Sequence, residues 1–334
     1  MFLDVEKLSE ILRKKVINIE EKKILISRIS SSKQEHDLTL PPNCGGYARI
    51  RHFRISRKGN WTFDPLPNVP YATKMNIPIQ ETLQTQLFQL SACDFRCWFC
   101  FVDESLLSAK LDNSKFFTVD ELFDLYFKEN IQPKVIDLSG GQPNLAPEWL
   151  YWTIEKIHNM DRDDLYIWSD DNLSNYYYWK YLSDDQRKFI STFKNHGRVG
   201  CFKGFDSNSF AFNTTADPKY YDNQFDIFDR LLNEGIDMYA YAIFTAIPSH
   251  QVRKSIKIFV DRLQKIHYNL PLRTIPLEIV SYEPMKARVR KEYLDAIEFQ
   301  YIVHDCWLEE LEKRFSANER HTLISKIKMK SDER

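Results

Sequence analysis

Between Gln84 and Val280 the chain repeats one pattern. A short run of β-branched and aromatic residues is followed by a polar turn and an amphipathic helix. The runs are 85–91, 134–139, 165–168, 198–202, 238–244 and 274–280. Helical stripes lie between them, including Leu150, Ile154 and Ile157, then Phe225, Phe228, Leu231 and Leu232, then Val252, Ile256, Phe259 and Leu263. Thr118-Val-Asp-Glu121 reads as a capping box that opens another helix. Strands separated by helices pair in parallel, because the chain must cross back before each new strand. Six such units predict an α/β fold with a parallel sheet and helices outside it. Pro276, in the last run, has no amide to donate, so that strand belongs at an edge.

In parallel barrels chemistry gathers beyond the C-terminal ends of the strands. The unusual motifs of this chain all follow its predicted strands. After the first comes Cys93-Asp-Phe-Arg-Cys97-Trp-Phe-Cys100, spaced C-x3-C-x2-C. After the second comes Ser139-Gly140-Gly141-Gln142-Pro143, and after the third Ser169-Asp170-Asp171-Asn172. Lys203-Gly-Phe-Asp206 follows the fourth and Thr245-Ala-Ile-Pro-Ser-His250 the fifth. Three thiolates on one tight loop suit an Fe–S cluster or zinc. A closed structural zinc site needs four ligands, and the other cysteines, Cys44, Cys201 and Cys306, stand isolated. A four-iron cluster on three cysteines would leave one iron open to a ligand. The chain has only nine glycines, where average usage of about 7% would give more than twenty. Gly140 and Gly141 therefore mark a place where backbone approaches a ligand closely, or equally a tight turn. Short polar groups at Ser169 and Asp170 suit ribose hydroxyls, or equally a loop cap.

The flanks read differently. Residues 1–40 suggest a helix striped by Val5, Leu8, Ile11 and Leu12, then a polar linker. A strand over 47–56, a turn at 57–60 and a return at 61–63 suggest a hairpin made basic by Arg49, Arg51, Arg54 and Arg57. Such charges usually guard an exposed edge; contact with an anionic substrate or RNA is the other reading. Residues 290–328 read as helical. The net charge of −1 gives no general pull toward nucleic acid or anionic membrane. The N-terminus is charged too early for a signal peptide, and no apolar run approaches the ~20 residues a membrane helix needs. Six cysteines in 334 residues are too sparse for a disulfide framework. These features point to a cytoplasmic protein.

The cysteine spacing resembles that of the radical S-adenosylmethionine (SAM) enzymes, C-x3-C-x-aromatic-C, with Phe99 at the aromatic position. Gly140-Gly141-Gln142-Pro143 resembles the G-G-E-P motif of that family, with Gln142 in place of Glu. Phe202-Lys203 weakly resembles the D-x-K segment of glycyl-radical-enzyme activases, with Cys201 where Asp would stand. The resemblance implies a partial (β/α)6 barrel over 85–285, with an N-terminal extension over 1–84 and a helical C-terminal extension over 286–334. It implies a 4Fe–4S cluster on Cys93, Cys97 and Cys100. SAM would lie against Phe99, Gly140, Gly141, Gln142, Ser169, Asp170 and Lys203. One electron from a donor such as flavodoxin or ferredoxin would cleave SAM to a 5′-deoxyadenosyl radical that takes hydrogen from a substrate. The activase-like segment suggests a protein or peptide substrate. Modification of a nucleotide or RNA is the alternative, and a non-enzymatic zinc- or cluster-binding interaction protein a third.

Overall fold

A computed structural model describes residues 2–55 and 61–329. Its strands are β1 (Ile17–Asn18), β2 (Lys23–Ser27), β3 (Ala48–Arg54), β4 (Thr82–Gln89), β5 (Ser114–Thr118), β6 (Val135–Ser139), β7 (Tyr166–Asp171), β8 (His196–Phe202), β9 (Met238–Ile243) and β10 (Thr274–Leu277). Seven of them form one sheet in the order β10-β9-β8-β7-β6-β4-β3. Six pair in parallel, in the order in which they occur along the chain, and only β3 runs antiparallel. Sequential parallel strands with helical crossovers give the expected half barrel, with β10 and Pro276 at one edge and β3 at the other.

The crossover helices form where the apolar spacing places them. Thr118 accepts from the Glu121 amide at 3.1 Å, and the Glu121 carboxylate accepts from the Thr118 amide at 2.8 Å. This reciprocal cap starts helix Val119–Phe127. Helix Tyr221–Asn233 buries Phe225, Ile227, Phe228 and Leu231 against the sheet, and Gly235 beyond it takes φ +86°, a conformation that favours glycine. Helix Val252–Ile266 buries Val252, Ile256, Phe259, Val260 and Leu263.

The flanks depart from expectation in three ways. Residues Lys23–Ser27 are not linker but strand β2, which pairs with β5 in a small second sheet. Ile24, Leu25 and Ile26 are fully buried, so the run shows no alternation to betray a strand. The local hairpin is also absent: β3 pairs with β4, along Ala48↔Phe88 to Arg54↔Thr82. Trp61 instead donates to the Pro276 carbonyl at 3.0 Å and stacks on His304. The chain thus leaves one edge of the half barrel at β3 and reattaches at the other. Arg57 and the turn at 57–60 lie outside the described residues. Third, Arg49 and Arg51 do not guard a solvated edge. Arg49 is 8% exposed, and Arg51 pairs with the fully buried Asp137 of β6 at 3.7 Å. Both arginines therefore lie on the concave side of the sheet, which Asp137 shares.

Candidate active site

The cysteine loop leaves β4 at the C-terminal end of the parallel sheet and is held from every side. Cys93 donates its amide to the Leu107 carbonyl at 3.1 Å. Asp94 is fully buried, and its Oδ2 accepts from Ser9 at 2.8 Å, Ser174 at 2.7 Å and Asn175 at 3.3 Å. These bonds tie the loop to the N-terminal helix Val5–Val16 and to the segment after β7. The same helix sends Arg13 into a buried pair with Glu148. Trp98 donates to Asn213 at 3.2 Å and stacks flat on Tyr293, with centroids 4.5 Å apart. Arg288 donates to the Cys97 carbonyl at 3.1 Å and to the Cys100 carbonyl. Helix Lys291–Arg314, which begins just after Arg288, thereby braces the loop.

The glycine pair meets this loop directly. The Gln142 amide donates to the Ala92 carbonyl at 2.7 Å. A Cβ on Gly141 would lie 2.0 Å from that same carbonyl oxygen and 2.5 Å from that of Leu90. The close approach that requires glycine is therefore between two loops of this chain. Gly140 takes φ +92°, and a Cβ there would strike the Gln89 side chain. Gln142 is fully buried; its side chain donates to Asp171 at 2.9 Å and Ser174 at 3.0 Å and accepts from the Asn172 amide at 3.0 Å. It locks the end of β7 to the glycine loop.

Of the remaining expected residues, Ser169 and Asp170 fall within β7 rather than after it, and alternate sides of the sheet. Ser169 bonds His196 at 2.9 Å on the convex side, away from the thiols. Asp170 points to the concave side and accepts from Ser139. Burial raises its carboxyl above the usual range, with Arg51 pulling the other way. Burial also raises Asp137 on the same side, and Asp170 adds to that rise. Phe99 is 8% exposed and meets Trp98 edge-to-face at 5.4 Å. Lys203 stands beside Cys201, Cys97 and Cys93. Although burial opposes its charge, these groups raise its ammonium above the usual value.

All six cysteines are free. Burial raises Cys93, Cys97 and Cys100, Cys97 to about 12; Asp94 and the neighbouring thiols add to the rise of Cys93, while Lys203 pulls Cys97 and Cys100 the other way. Asn172 donates to the Cys93 sulfur at 3.3 Å. Among the described residues, no three His, Cys, Asp or Glu side chains converge on one metal ion. The donor set, three soft thiols on one braced loop with a cation alongside, fits the cluster. Asp94, Asn213 and Arg288 were not singled out in the sequence. Asp94 alone left a signal, standing inside the cysteine motif.

No family model and no curated protein matches the chain. Solved structures with a similar chain path include SuiB of Streptococcus suis bound to precursor peptide SuiA, at 16% identity and TM-score 0.38, covering 54% of this chain and 36% of that one. SuiB bound to S-adenosylmethionine aligns at 14% identity and TM-score 0.45, covering 75% and 52%. Native anSMEcpe with bound AdoMet aligns at 14% identity and TM-score 0.41, covering 67% and 59%. The chain thus spans between about a third and three fifths of the length of these proteins.

Proposed function

We propose that the chain is a radical SAM enzyme. One observation carries the reading: the C-x3-C-x2-C thiols sit at the end of β4, between the glycine loop after β6 and Lys203 after β8. Cys93, Cys97 and Cys100 would hold a 4Fe–4S cluster. When bound, cluster and SAM together supply a 5′-deoxyadenosyl radical through one-electron cleavage. The chain's own residues prepare the place. Arg288, Trp98 and Asp94 fix the loop that presents the thiols. Lys203 offsets the negative charge that thiolates bring into a buried site. Asp170 offers an acceptor on the concave side, where a ligand's hydroxyl or ammonium group would be held, while Gln142 and Ser169 position the strand that carries it. Exclusion of water would protect a reactive species held there.

A protein or peptide is the proposed substrate, with flavodoxin or ferredoxin as electron donor, in the cytoplasm. RNA is less favoured, because Arg49 and Arg51 turn inward and form no open basic stripe. Anaerobic reconstitution tests the reading. About four irons and four sulfides per chain, with SAM cleaved on adding dithionite, are expected. Stoichiometric zinc without iron would overturn it in favour of a zinc-binding interaction protein.

A further inference from the structure

Along the free edge of β3 lies a pocket of about 290 Å³ that contains none of the three motif cysteines. Arg49, Arg51 and His52 form its strand wall, Phe101 and Tyr282 line it, and Asp37 lies across from the strand. Arg49 is the unusual member. It is more than nine-tenths buried, and its Nε has no hydrogen-bond partner. Among the described residues its guanidinium makes no ion pair; it rests near the Phe101 ring at 5.4 Å, where Arg51 rests at 5.6 Å. Two guanidinium groups thus share one ring, and only Arg51 has a carboxylate partner, Asp137 at 3.7 Å. Burial and the charge of Arg51 pull the Arg49 guanidinium down to about 10.

A buried charge without a partner is costly for a fold and is kept where something else completes it. We propose that this pocket is a carboxylate-binding subsite, in which Arg49 and Arg51 hold a carboxylate of the substrate between β3, Phe101 and Tyr282. Arginine's planar fork matches a carboxylate with two parallel bonds. Asp37 and Asp137 already balance part of the local charge, which favours a singly charged group over a phosphate. The concave shape admits a side chain or a small acid rather than a polyanionic strand. Phe101 follows Cys100 directly, so a carboxylate held here would place the rest of its molecule beside the cysteine loop. The pocket stands on its own residues and does not depend on what the thiols bind.

Calorimetric titration of the whole chain, before metal reconstitution, tests this. The probes are succinate, the peptide acetyl-Gly-Asp-Gly-amide, inorganic phosphate, SAM and a short single-stranded RNA. Saturable binding of succinate or the peptide is expected, with movement of the Arg49 Nε resonance in 15N spectra. Tighter binding of the peptide identifies a peptide carboxylate; tighter binding of succinate identifies a small acid. Arg49→Met should weaken either at least tenfold, while Arg253→Gln, at a remote exposed arginine, should not. Removing an unpaired buried charge should also leave Tm unchanged or higher. No carboxylate binding overturns the proposal, as does tighter binding of phosphate, SAM or RNA that Arg49→Met weakens. So does a marked fall in Tm for Arg49→Met, which would make Arg49 a structural residue. Iron and SAM chemistry are read separately, on reconstituted protein, so this proposal can fail while the cluster stands.

Discussion

Arg288 and Cys97 lie 191 positions apart in the chain, yet the guanidinium donates to the Cys97 carbonyl at 3.1 Å and also reaches the Cys100 carbonyl. Two carbonyls of the thiol loop are therefore fixed by a residue outside the six parallel strands. Arg288→Gln removes charge-assisted bonds of about 1.5–3 kcal/mol each at the upper end. Iron content after anaerobic reconstitution should fall by half or more, with the circular dichroism spectrum retained. Full iron loading in the folded variant would show that the loop needs no such brace.

Serine replacement of Cys93, Cys97 or Cys100 should each lower bound iron severely and abolish SAM cleavage. Cys44→Ala and Cys306→Ala should leave both intact, since these thiols are buried away from the loop. Iron assay and the optical charge-transfer bands separate the two groups. Equal iron loss across all five variants would speak against the assigned ligand set.

Gly141→Ala is expected to act through the fold. Its Cβ would stand 2.0 Å from the Ala92 carbonyl oxygen, and neither backbone can yield cheaply. Overpacking of this kind costs about 1–3 kcal/mol, a fall of roughly 1–4 °C in Tm for a chain of this size. Thermal melting measures it. An unchanged Tm accompanied by weakened SAM binding would mean that the glycine faces the ligand instead.

His196 gives the pH prediction. It is 4% exposed and bonded to Ser169 at 2.9 Å. Burial, then Arg198 and Lys74, lower its pKa to about 3 from an ordinary 6.5. The folded chain keeps it neutral, so between those two pH values the unfolded chain binds more protons. Stability then rises with pH across that window and is lost as pH falls through it. By pH 4 the loss from this group is on the order of 3 kcal/mol. In urea titrations from pH 7 to 4, His196→Gln should flatten that part of the profile. A parallel profile would remove His196 as its cause.

What the sequence disclosed was whatever is local. The cysteine spacing, the capping box at Thr118 and the stripe of helix Val252–Ile266 each lie within a few turns of chain, and each was legible. Pro276 declared its edge because a missing amide is visible in one letter. The partners of Asp94 were not legible: Ser9 precedes it by 85 residues and Ser174 follows by 80, and side-chain pairs at such separations leave no periodicity. Arg49 and Arg51 misled for a related reason. Alternating charges on a strand imply solvent, unless the pairing brings a carboxylate such as Asp137 onto the same face. Gly141 was read as approaching a ligand, and the backbone it meets, at Ala92 and Leu90, is a neighbour that one chain of letters cannot reveal.

The brace on the thiol loop also sets an order of events. Arg288 and Tyr293 emerge from the ribosome nearly two hundred residues after Cys97, which at ~5–20 residues per second is roughly ten to forty seconds later. During that interval the three cysteines are already synthesised but their loop has no closing contacts from the C-terminal helix. A metal delivered then meets an open, accommodating loop. One delivered after release meets a fastened one.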